Sequence, residues 1–330
     1  MKILFGIQGT GNGHISRCVP VIQELISLGH QVDVLMSGVS HELTLPFPIK
    51  YKKMGLSYIF GKKGGIDLFR TLLKCNIFQL TKEIVNCPVN QYQLVITDFE
   101  PITAWASKIR KINCLGFGNQ YAAKYYPIKV NTLQEKLGVW FLKHFAPVSK
   151  AVKYDYLQNT HQKVFFPLIN PLILSINVKE NPKLILIYLP AHDRNALTHI
   201  ANSFKNYTFI SYSKWMKEDE KVFSDNLRVK KINELNFNND LRQAKFVLTA
   251  AGFGLTSELI QFKKNMMVIP MKGQVEQKIN ADKLKKLGFS VCYSHKDIAA
   301  IKKWLAAPYC PPVYPTTSVS EIAQSLLQTY

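Results

Sequence analysis

The chain has 330 residues, of which 47% are hydrophobic and 12% aromatic; this is enough apolar material for two domain cores and excludes disordered and low-complexity proteins. Its 42 basic residues outnumber the 22 acidic ones and give a net charge of +20. Only six of the basic residues are Arg, the residue that most often binds phosphates in a bidentate manner and reads DNA bases, so a nucleic-acid partner is disfavoured. Two explanations of the charge stay open: attraction to an anionic membrane surface, and lysines that only keep the protein soluble.

Strands and helices are predicted to alternate along the first half of the chain. The predicted strands are Lys2–Ile7, Gln31–Met36, Leu94–Thr97 and Cys114–Phe117, and the predicted helices are Ile15–Leu28 and Ile102–Ile109. This β-α-β-α order favours a parallel sheet with helices on both faces.

The same pattern restarts after a proline-punctuated stretch. The strands predicted there are Lys183–Leu189, Thr208–Tyr212, Leu227–Lys230, Phe246–Thr249 and Met266–Ile269. We therefore predict an N-terminal α/β domain at 1–166, a Pro-rich hinge at 167–171 and a second doubly wound domain at 172–315. A C-terminal helix at 316–330 is expected to pack back on the first domain.

The sequence carries no targeting or metal-site pattern. No apolar run reaches the ~18 residues of a membrane-spanning helix, and the apolar stretch after Lys2 is too short for a signal peptide. The six cysteines are scattered without a C-x-x-C pair, which is typical of reduced thiols rather than of a zinc or disulfide framework. We expect a cytoplasmic protein.

A glycine-rich loop, Gln8-Gly9-Thr10-Gly11-Asn12-Gly13-His14, follows the first strand and opens the first helix. Ligands of open parallel sheets bind at the carboxyl ends of the strands, and helix N-termini favour negative charge. The spacing is G-x-G-x-G-H rather than G-x-G-x-x-G, and no acidic residue ends the second strand, so a nicotinamide-binding domain is disfavoured. The loop also lacks the G-K-[ST] of a P-loop.

His14 is a candidate general base, because an imidazole titrates near neutral pH and this one stands at a strand-to-helix turn. It could instead be a helix-start residue that is hydrogen-bonded locally. Asp98 and Glu100, which follow the strand Leu94–Thr97, are rival bases or residues that orient His14. Alternatively they cap the helix after Pro101, a role that suits Asp98.

A second strand-turn-helix segment runs from Thr249 to Glu258. Gly252 and Gly254 open its backbone, so that two or three N–H groups and the helix dipole can hold a diphosphate without a metal. Glu258 can accept hydrogen bonds from a ribose, or it is simply a glutamate near a helix start, where the dipole favours it. A third polar segment, Pro270–Ala281, has the composition of sites that bind hydroxyl-rich ligands.

These motifs resemble those of the GT-B glycosyltransferases. The similarity rests on G-T-G-N-G-H after the first strand, A-G-F-G-L-T-S-E in the second half and P-x(6)-Q-x-x-N-A after it, in that order. The nearest group is family 28, the MurG-like and galactolipid synthase-like enzymes. I-T-D-F-E-P further resembles a bacterial and archaeal branch of glycosyltransferases.

The resemblance implies two Rossmann-like domains that face each other across a cleft, with the acceptor in the first domain and a nucleotide-sugar in the second. It places the catalytic histidine on His14 and the ribose-binding glutamate on Glu258, and it puts the uracil contact at the backbone of Ile232 or Asn233. The residues predicted to bind the nucleotide-sugar are Gly11, Gly13, Ile232, Gly252, Phe253, Gly254, Thr256, Glu258, Glu276, Gln277 and Asn280.

Two departures from the family pattern leave the sugar open. Glu276 stands where MurG has the first of two glutamines, and Tyr188–Asp193 replaces the glycine-rich loop that begins its second domain. The chain also has no D-x-D motif, so the expected reaction needs neither metal nor cofactor and inverts the anomeric centre in one displacement. Glu218-Asp219-Glu220 is interpreted as a solvated face in a polar helical run.

Two segments, Tyr58–Phe78 and Tyr121–Phe145, interleave aromatic residues with Lys and Arg. This mixture suits contact with an anionic membrane surface, although the aromatic side chains could equally belong to the core.

The predicted function is transfer of a hexose or N-acetylhexosamine from a UDP-sugar to a lipid-linked or cell-envelope hydroxyl, at the inner face of the membrane. A nucleotide-sugar 2-epimerase and a catalytically inactive scaffold of the same fold remain as alternatives.

Overall fold

The structure is a computed structural model that describes residues 1–10, 12–38, 45–56, 76–157, 164–168 and 179–329. By their contacts these residues form two compact units, one made of the described residues up to 168 together with 315–329, and the other of residues 179–314. The predicted hinge lies partly outside the described residues, since 169–171 fall in one of the gaps.

The first unit contains a seven-stranded parallel sheet in the order β3-β2-β1-β4-β5-β6-β7. Its strands are β1 Lys2–Gln8, β2 Gln31–Ser37, β3 Ile49–Lys53, β4 Leu94–Asp98, β5 Cys114–Phe117, β6 Lys150–Tyr154 and β7 Val164–Phe165. Its helices are α1 Asn12–Ser27, α2 Ile77–Val85, α3 Pro101–Ile109, α4 Gln120–Ala123, α5 Leu133–His144 and α11 Val319–Thr329.

The central strands are buried on both faces, as expected for a parallel sheet that is covered by helices. In β1 every residue after Lys2 is buried, which explains its nearly continuous apolar sequence. Helix α3 packs so closely on this strand that a Cβ at Gly6 would lie 2.3 Å from Thr103 Oγ1. The C-terminal helix α11 packs against α1 and β6 in the same unit.

The second unit contains a sheet in the order β10-β11-β9-β8-β12-β13-β14, in which only the β10–β11 pair is antiparallel. Its strands are β8 Asn181–Tyr188, β9 Thr208–Ser213, β10 Glu220–Ser224, β11 Leu227–Lys231, β12 Ala244–Thr249, β13 Asn265–Val268 and β14 Ser290–Val291. Its helices are α6 Arg194–Asn202, α7 Glu234–Gln243, α8 Phe253–Gln261, α9 Val275–Lys286 and α10 Ile298–Ala306.

The α/β class and the parallel sheets are confirmed, and each predicted strand is found within two residues of its expected bounds. One local prediction is wrong. Glu218 and Asp219 lie in a bend and Glu220 begins β10, so these residues are not helical, although all three are exposed as expected. The edge strands β3 and β10 were not predicted. Their sequences are alternating or charged, as in Ile49–Lys53, because an edge strand buries little apolar surface, and they therefore lack the apolar run by which the central strands were recognised.

Candidate functional site

Each sheet reverses its strand order at one point, and ligands of open α/β sheets bind there, beyond the carboxyl ends of the strands. In the first unit the reversal lies between β1 and β4, which pair directly. In the second unit it lies between β8 and β12. The loops that leave these four strands carry most of the predicted site residues.

At the first reversal point the His14 imidazole lies beside the Asp98 carboxylate. Nδ1 of His14 is 2.9 Å from Oδ2 of Asp98, although 84 residues separate them in the chain. The imidazole keeps 17% of its surface exposed, whereas Asp98 is fully buried. An imidazole that meets a carboxylate through Nδ1 presents Nε2 as its second nitrogen for proton transfer.

Arg17, one turn after His14 in α1, holds the other side of the same carboxylate. Its Nε lies 3.0 Å from Asp98 Oδ1 and its Nη2 2.5 Å from the same oxygen. Arg17 is itself buried, and such a forked pair fixes the orientation of the carboxylate. Arg17 was not predicted as a site residue, because nothing in the sequence of a helix signals that its Arg meets a partner 81 residues away.

The electrostatics keep Asp98 ionised in a fully buried position. Burial by itself would raise its pKa, but the Arg17 guanidinium and then His14 hold the pKa of this carboxyl below its ordinary value. Cys18 adds a hydrogen bond, because its Sγ–H donates to Asp98 Oδ2 over 3.1 Å. Burial, and next the Asp98 charge, raise the pKa of Cys18, so this thiol is a donor and not a nucleophile.

The loop after β5 completes the arrangement around Arg17. Asn119 Oδ1 accepts from Arg17 Nη1 over 3.2 Å, and Gln120 Oε1 accepts from Nη2 over 3.1 Å. Gly118 has φ +139, and a Cβ there would lie 3.1 Å from Asp98 Oδ1. A glycine is therefore required for the loop to approach the carboxylate this closely.

Glu100, the third predicted catalytic residue, has a structural role in the described geometry. Its carboxylate caps α3 by accepting from the N–H groups of Ile102 and Thr103, and it also accepts from the hydroxyls of Thr103 and Ser37. The residue is fully buried, and these donors account for both oxygens of its carboxylate. The capping role suggested for Asp98 belongs to Glu100.

A left-handed residue separates the two carboxylates. Phe99 has φ +54, which is uncommon outside glycine, and its ring packs against Tyr121 and Phe145. This turn directs Asp98 toward α1 and leaves Glu100 in an extended conformation suited to an N-cap. Gly13 lies in the first turn of α1, and Gly11 lies outside the described residues.

At the second reversal point, helix α8 begins without a side-chain cap. Its N-cap is Gly252, which makes no side-chain capping bond. By contrast α6, α7 and α10 are capped by Asp193, Asn233 and Asp297. Phe253 and Gly254 open α8 directly after β12, so its positive dipole end faces the carboxyl edge of the sheet.

Glu258 lies in the second turn of α8, and its carboxylate has no hydrogen-bond or ion-pair partner among the described residues. Burial, and next the charge of Glu234, raise its pKa to about 7. A half-buried carboxylate without a donor is costly, so its natural complement is a ligand that supplies hydroxyl groups.

Several other predicted ligand residues stabilise the loops of this region. Asn280 Nδ2 donates to the Ala251 carbonyl over 3.0 Å, and the Met271 N–H donates to Gln277 Oε1 over 2.9 Å. Thr256 Oγ1 donates back to the Gly252 carbonyl over 2.7 Å. These three side chains are buried, so they shape the loops after β12 and β13.

The remaining predicted residues lie at the same edge of the sheet. Ile232 and Asn233 form the turn between β11 and α7, where Asn233 is the N-cap, and Glu276 lies in the first turn of α9. One residue was missed. Gln274, the N-cap residue of α9, makes no capping bond, and its Oε1 is buried without a hydrogen-bond partner.

The loop that replaces the glycine-rich motif of MurG also carries an unsatisfied group. His192 follows β8, its Nδ1 is buried without a hydrogen-bond partner, and its ring meets His295 edge-on at 4.8 Å. Burial, and next His295, lower the pKa of His192 to about 4, so the imidazole is neutral at physiological pH.

The aromatic segments divide between core and surface. Of the first, residues 58–75 lie outside the described residues, and Phe78 is 90% exposed. In the second, Tyr121 and Phe145 are buried, whereas Trp140 is 59% exposed. None of the helices in the described ranges is long and apolar enough to cross a membrane.

Comparisons with known proteins define the class first. The chain has the fold of the GT-B glycosyltransferases: the spinosyn rhamnosyltransferase SpnG complexed with thymidine diphosphate superposes with a TM-score of 0.58 at 13% identity, covering 99% of this chain and 95% of that one. MurG of Acinetobacter baumannii superposes with a TM-score of 0.54 at 15% identity, covering 99% and 94%.

The sequence comparisons then identify the family. Residues 1–308 match the model of Glycosyl transferase family 1, and the chain belongs to that family. An uncharacterized glycosyltransferase of Methanosarcina mazei is 23% identical over 89% of this chain and 86% of its own length. The expected enzyme class, a glycosyltransferase, is thereby confirmed.

Proposed function

We propose that this glycosyltransferase moves a hexose or N-acetylhexosamine from a UDP-sugar to a hydroxyl of a lipid-linked or cell-envelope acceptor, by one metal-independent displacement with inversion. The observation that carries the mechanism is the contact between His14 Nδ1 and Asp98 Oδ2 at the reversal point of the first sheet. It supports a general base whose second nitrogen is available to the acceptor.

The reaction needs a proton acceptor for the attacking hydroxyl. His14 Nε2 removes that proton as the oxygen attacks the anomeric carbon, and the Asp98 carboxylate stabilises the imidazolium that forms. The bond between the anomeric carbon and the diphosphate oxygen breaks on the opposite face. A single displacement of this kind inverts the configuration of the sugar.

The leaving diphosphate needs stabilisation of its negative charge. The uncapped N-terminus of α8, at Gly252, Phe253 and Gly254, supplies N–H donors and a positive dipole end. Glu258 accepts from the ribose hydroxyls, which satisfies its otherwise partnerless carboxylate. The bound thymidine diphosphate of the structural neighbour supports a nucleoside diphosphate as the ligand of this region.

The acceptor proposal rests on an exposed stripe of helix α5. Leu133, Leu137 and Trp140 recur at helical spacing and are 74%, 46% and 59% exposed. Lys136 and Lys143 stand beside them on the helix. Apolar anchors next to lysines, in a chain of net charge +20, suit an anionic lipid surface on which a lipid-linked acceptor resides.

The donor and the reaction type are tested by incubating the protein with labelled UDP-sugars and a lipid extract. Release of UDP together with a labelled lipid product is expected, and turnover should persist in EDTA. Substituting TDP-sugars for UDP-sugars tests the nucleotide. Epimerisation of the sugar without transfer, or loss of activity in EDTA, would contradict the proposal.

The base is tested with His14→Ala, and the control is His30→Ala, which removes a partly exposed histidine of the same unit. Loss of general-base catalysis should lower kcat by about 10²–10⁴-fold and leave UDP affinity in calorimetry unchanged. His30→Ala should retain wild-type kcat. Full activity in His14→Ala would remove His14 from the mechanism.

Membrane contact is tested by sedimentation with vesicles of phosphatidylglycerol and phosphatidylcholine. Wild type should bind anionic vesicles and release them in high salt. Trp140→Ser should weaken binding, whereas Val222→Ser, which removes an equally exposed apolar side chain from the second unit, should not. Equal binding by both variants would refute the proposal that the exposed apolar stripe of α5 binds the membrane surface.

A further inference from the structure

His14 Nδ1 lies within hydrogen-bonding distance of two groups that require opposite protonation states. Asp98 Oδ2, at 2.9 Å, is an acceptor and needs a proton on Nδ1. Arg17 Nη2, at 2.7 Å, is a donor and needs a lone pair there. The neutral imidazole can satisfy only one of them, and the choice decides whether the proton lies on Nδ1 or on Nε2.

The choice matters because only one tautomer is a base toward the acceptor. With the proton on Nδ1, the lone pair is on Nε2 and can take a proton. With the proton on Nε2, that nitrogen is a donor, and the remaining lone pair is directed at Arg17. The proposed function requires the first tautomer.

The number of protons on Arg17 Nη2 decides between the two tautomers of His14. This nitrogen carries two N–H groups and has three acceptors within reach: Asp98 Oδ1 at 2.5 Å, His14 Nδ1 at 2.7 Å and Gln120 Oε1 at 3.1 Å. Asp98 carries the charge and takes one of the two protons. Gln120 and His14 therefore compete for the second.

We infer that Gln120 is a positioning residue that occupies the second Nη2 proton of Arg17 and thereby keeps the proton of His14 on Nδ1. Its amide oxygen faces Arg17 and its side chain is buried, so the contact is shielded from water. The inference rests on the proposed role of His14 as the base.

The decisive experiment reads the tautomer directly. Protein labelled with ¹⁵N-histidine is observed by NMR of the imidazole nitrogens, and the His14 signals are assigned from their loss in His14→Ala. Wild type should show a proton on Nδ1 and a lone pair on Nε2. Observation of the Nε2–H tautomer in the wild type would overturn the inference without any variant.

Gln120→Leu removes the competing oxygen at similar side-chain size. The freed N–H of Arg17 should then bond to His14 Nδ1 and shift the tautomer ratio toward Nε2–H by about tenfold or more, the scale of a hydrogen bond from a charged donor. In turnover, kcat should fall while the affinity for UDP stays the same. An unchanged tautomer in Gln120→Leu would refute the inference.

Two further variants separate this effect from a loss of folding. Gln120→Glu keeps an oxygen toward Arg17 and should retain the Nδ1–H tautomer. Asn119→Leu removes the acceptor on the other nitrogen, Nη1, and should also leave the tautomer unchanged. A shift in either variant would count against the inference, because the second Nη2 proton would still be occupied.

The outcomes also distinguish this inference from the proposed function. If the tautomer responds as expected but His14→Ala retains full activity, the positioning role of Gln120 stands and the base is another group. If His14→Ala is inactive and the tautomer ratio of His14 is unchanged in Gln120→Leu, His14 remains the base and the positioning role of Gln120 is refuted.

Discussion

The reversal points of the two sheets are built in opposite ways. At the first, His14 and Arg17 both hold the Asp98 carboxylate through short hydrogen bonds, so this region is organised before any ligand arrives. At the second, α8 begins without a side-chain cap and Glu258 has no partner among the described residues. Under the proposed function, the first region is preorganised for proton transfer and the second gains its partners on binding.

Asp98→Asn tests the first region, and we expect it to have the largest effect on stability. It leaves the Arg17 guanidinium buried without a counter-charge, which should lower the free energy of unfolding by about 3–5 kcal/mol. Chemical denaturation measures this. Arg17→Met together with Asp98→Asn should recover much of the stability but not the activity, and a fully stable Asp98→Asn would contradict the pairing.

The same ion pair predicts an acid dependence of stability. The folded pKa of Asp98 is below its ordinary value, so its contribution is present above the unfolded pKa of about 3.9 and is lost as the pH falls through the folded value. Wild-type stability should therefore decrease in acid more steeply than that of the Arg17→Met, Asp98→Asn variant.

Glu258→Gln tests the second region and should change stability in the opposite direction. The folded pKa of about 7 exceeds the ordinary value of Glu, so ionising Glu258 destabilises the free protein progressively as the pH rises from about 4.5 through 7. At pH 8 the variant should be about 1–3 kcal/mol more stable than wild type and should bind UDP more weakly. Equal stability and unchanged affinity would remove Glu258 from the site.

The affinity for UDP should also depend on pH. Ribose hydroxyls donate to the ionised form of Glu258, so binding requires loss of its proton. With a pKa of about 7, the affinity at pH 6 should be about tenfold lower than at pH 8. Calorimetry of Glu258→Gln controls for titration of the diphosphate itself; if the variant shows the same pH dependence as wild type, the effect does not come from Glu258.

The smallest expected change in stability comes from supplying the missing cap. Gly252→Asp would place a carboxylate at the N-cap of α8, where nothing lies within 4 Å of the new Cβ. The free protein should gain about 0.5 kcal/mol from the cap and the dipole, while the carboxylate repels the diphosphate and abolishes UDP binding. A destabilised variant, or one that still binds UDP, would show that α8 is not a free anion site.

Features that depend on the local order of residues could be predicted without the structure. Alternating apolar runs and helical spacing predicted the parallel sheets, and the glycines at 252 and 254 predicted an open helix start, because a residue without a side chain cannot cap. The position of His14 at the carboxyl end of β1 follows from the same order of elements.

Only the tertiary structure decided which polar residues meet. Asp98 and Glu100 look alike in sequence, yet the left-handed Phe99 turns one toward Arg17, 81 residues away, and makes the other a helix cap. Gln277 and Asn280, which the sequence predicts to bind the ligand, each bond to the backbone of a neighbouring loop, a contact that the sequence did not indicate. Hydrogen bonds between distant segments depend on distances and angles of a few tenths of an ångström, which spacing along the chain does not encode.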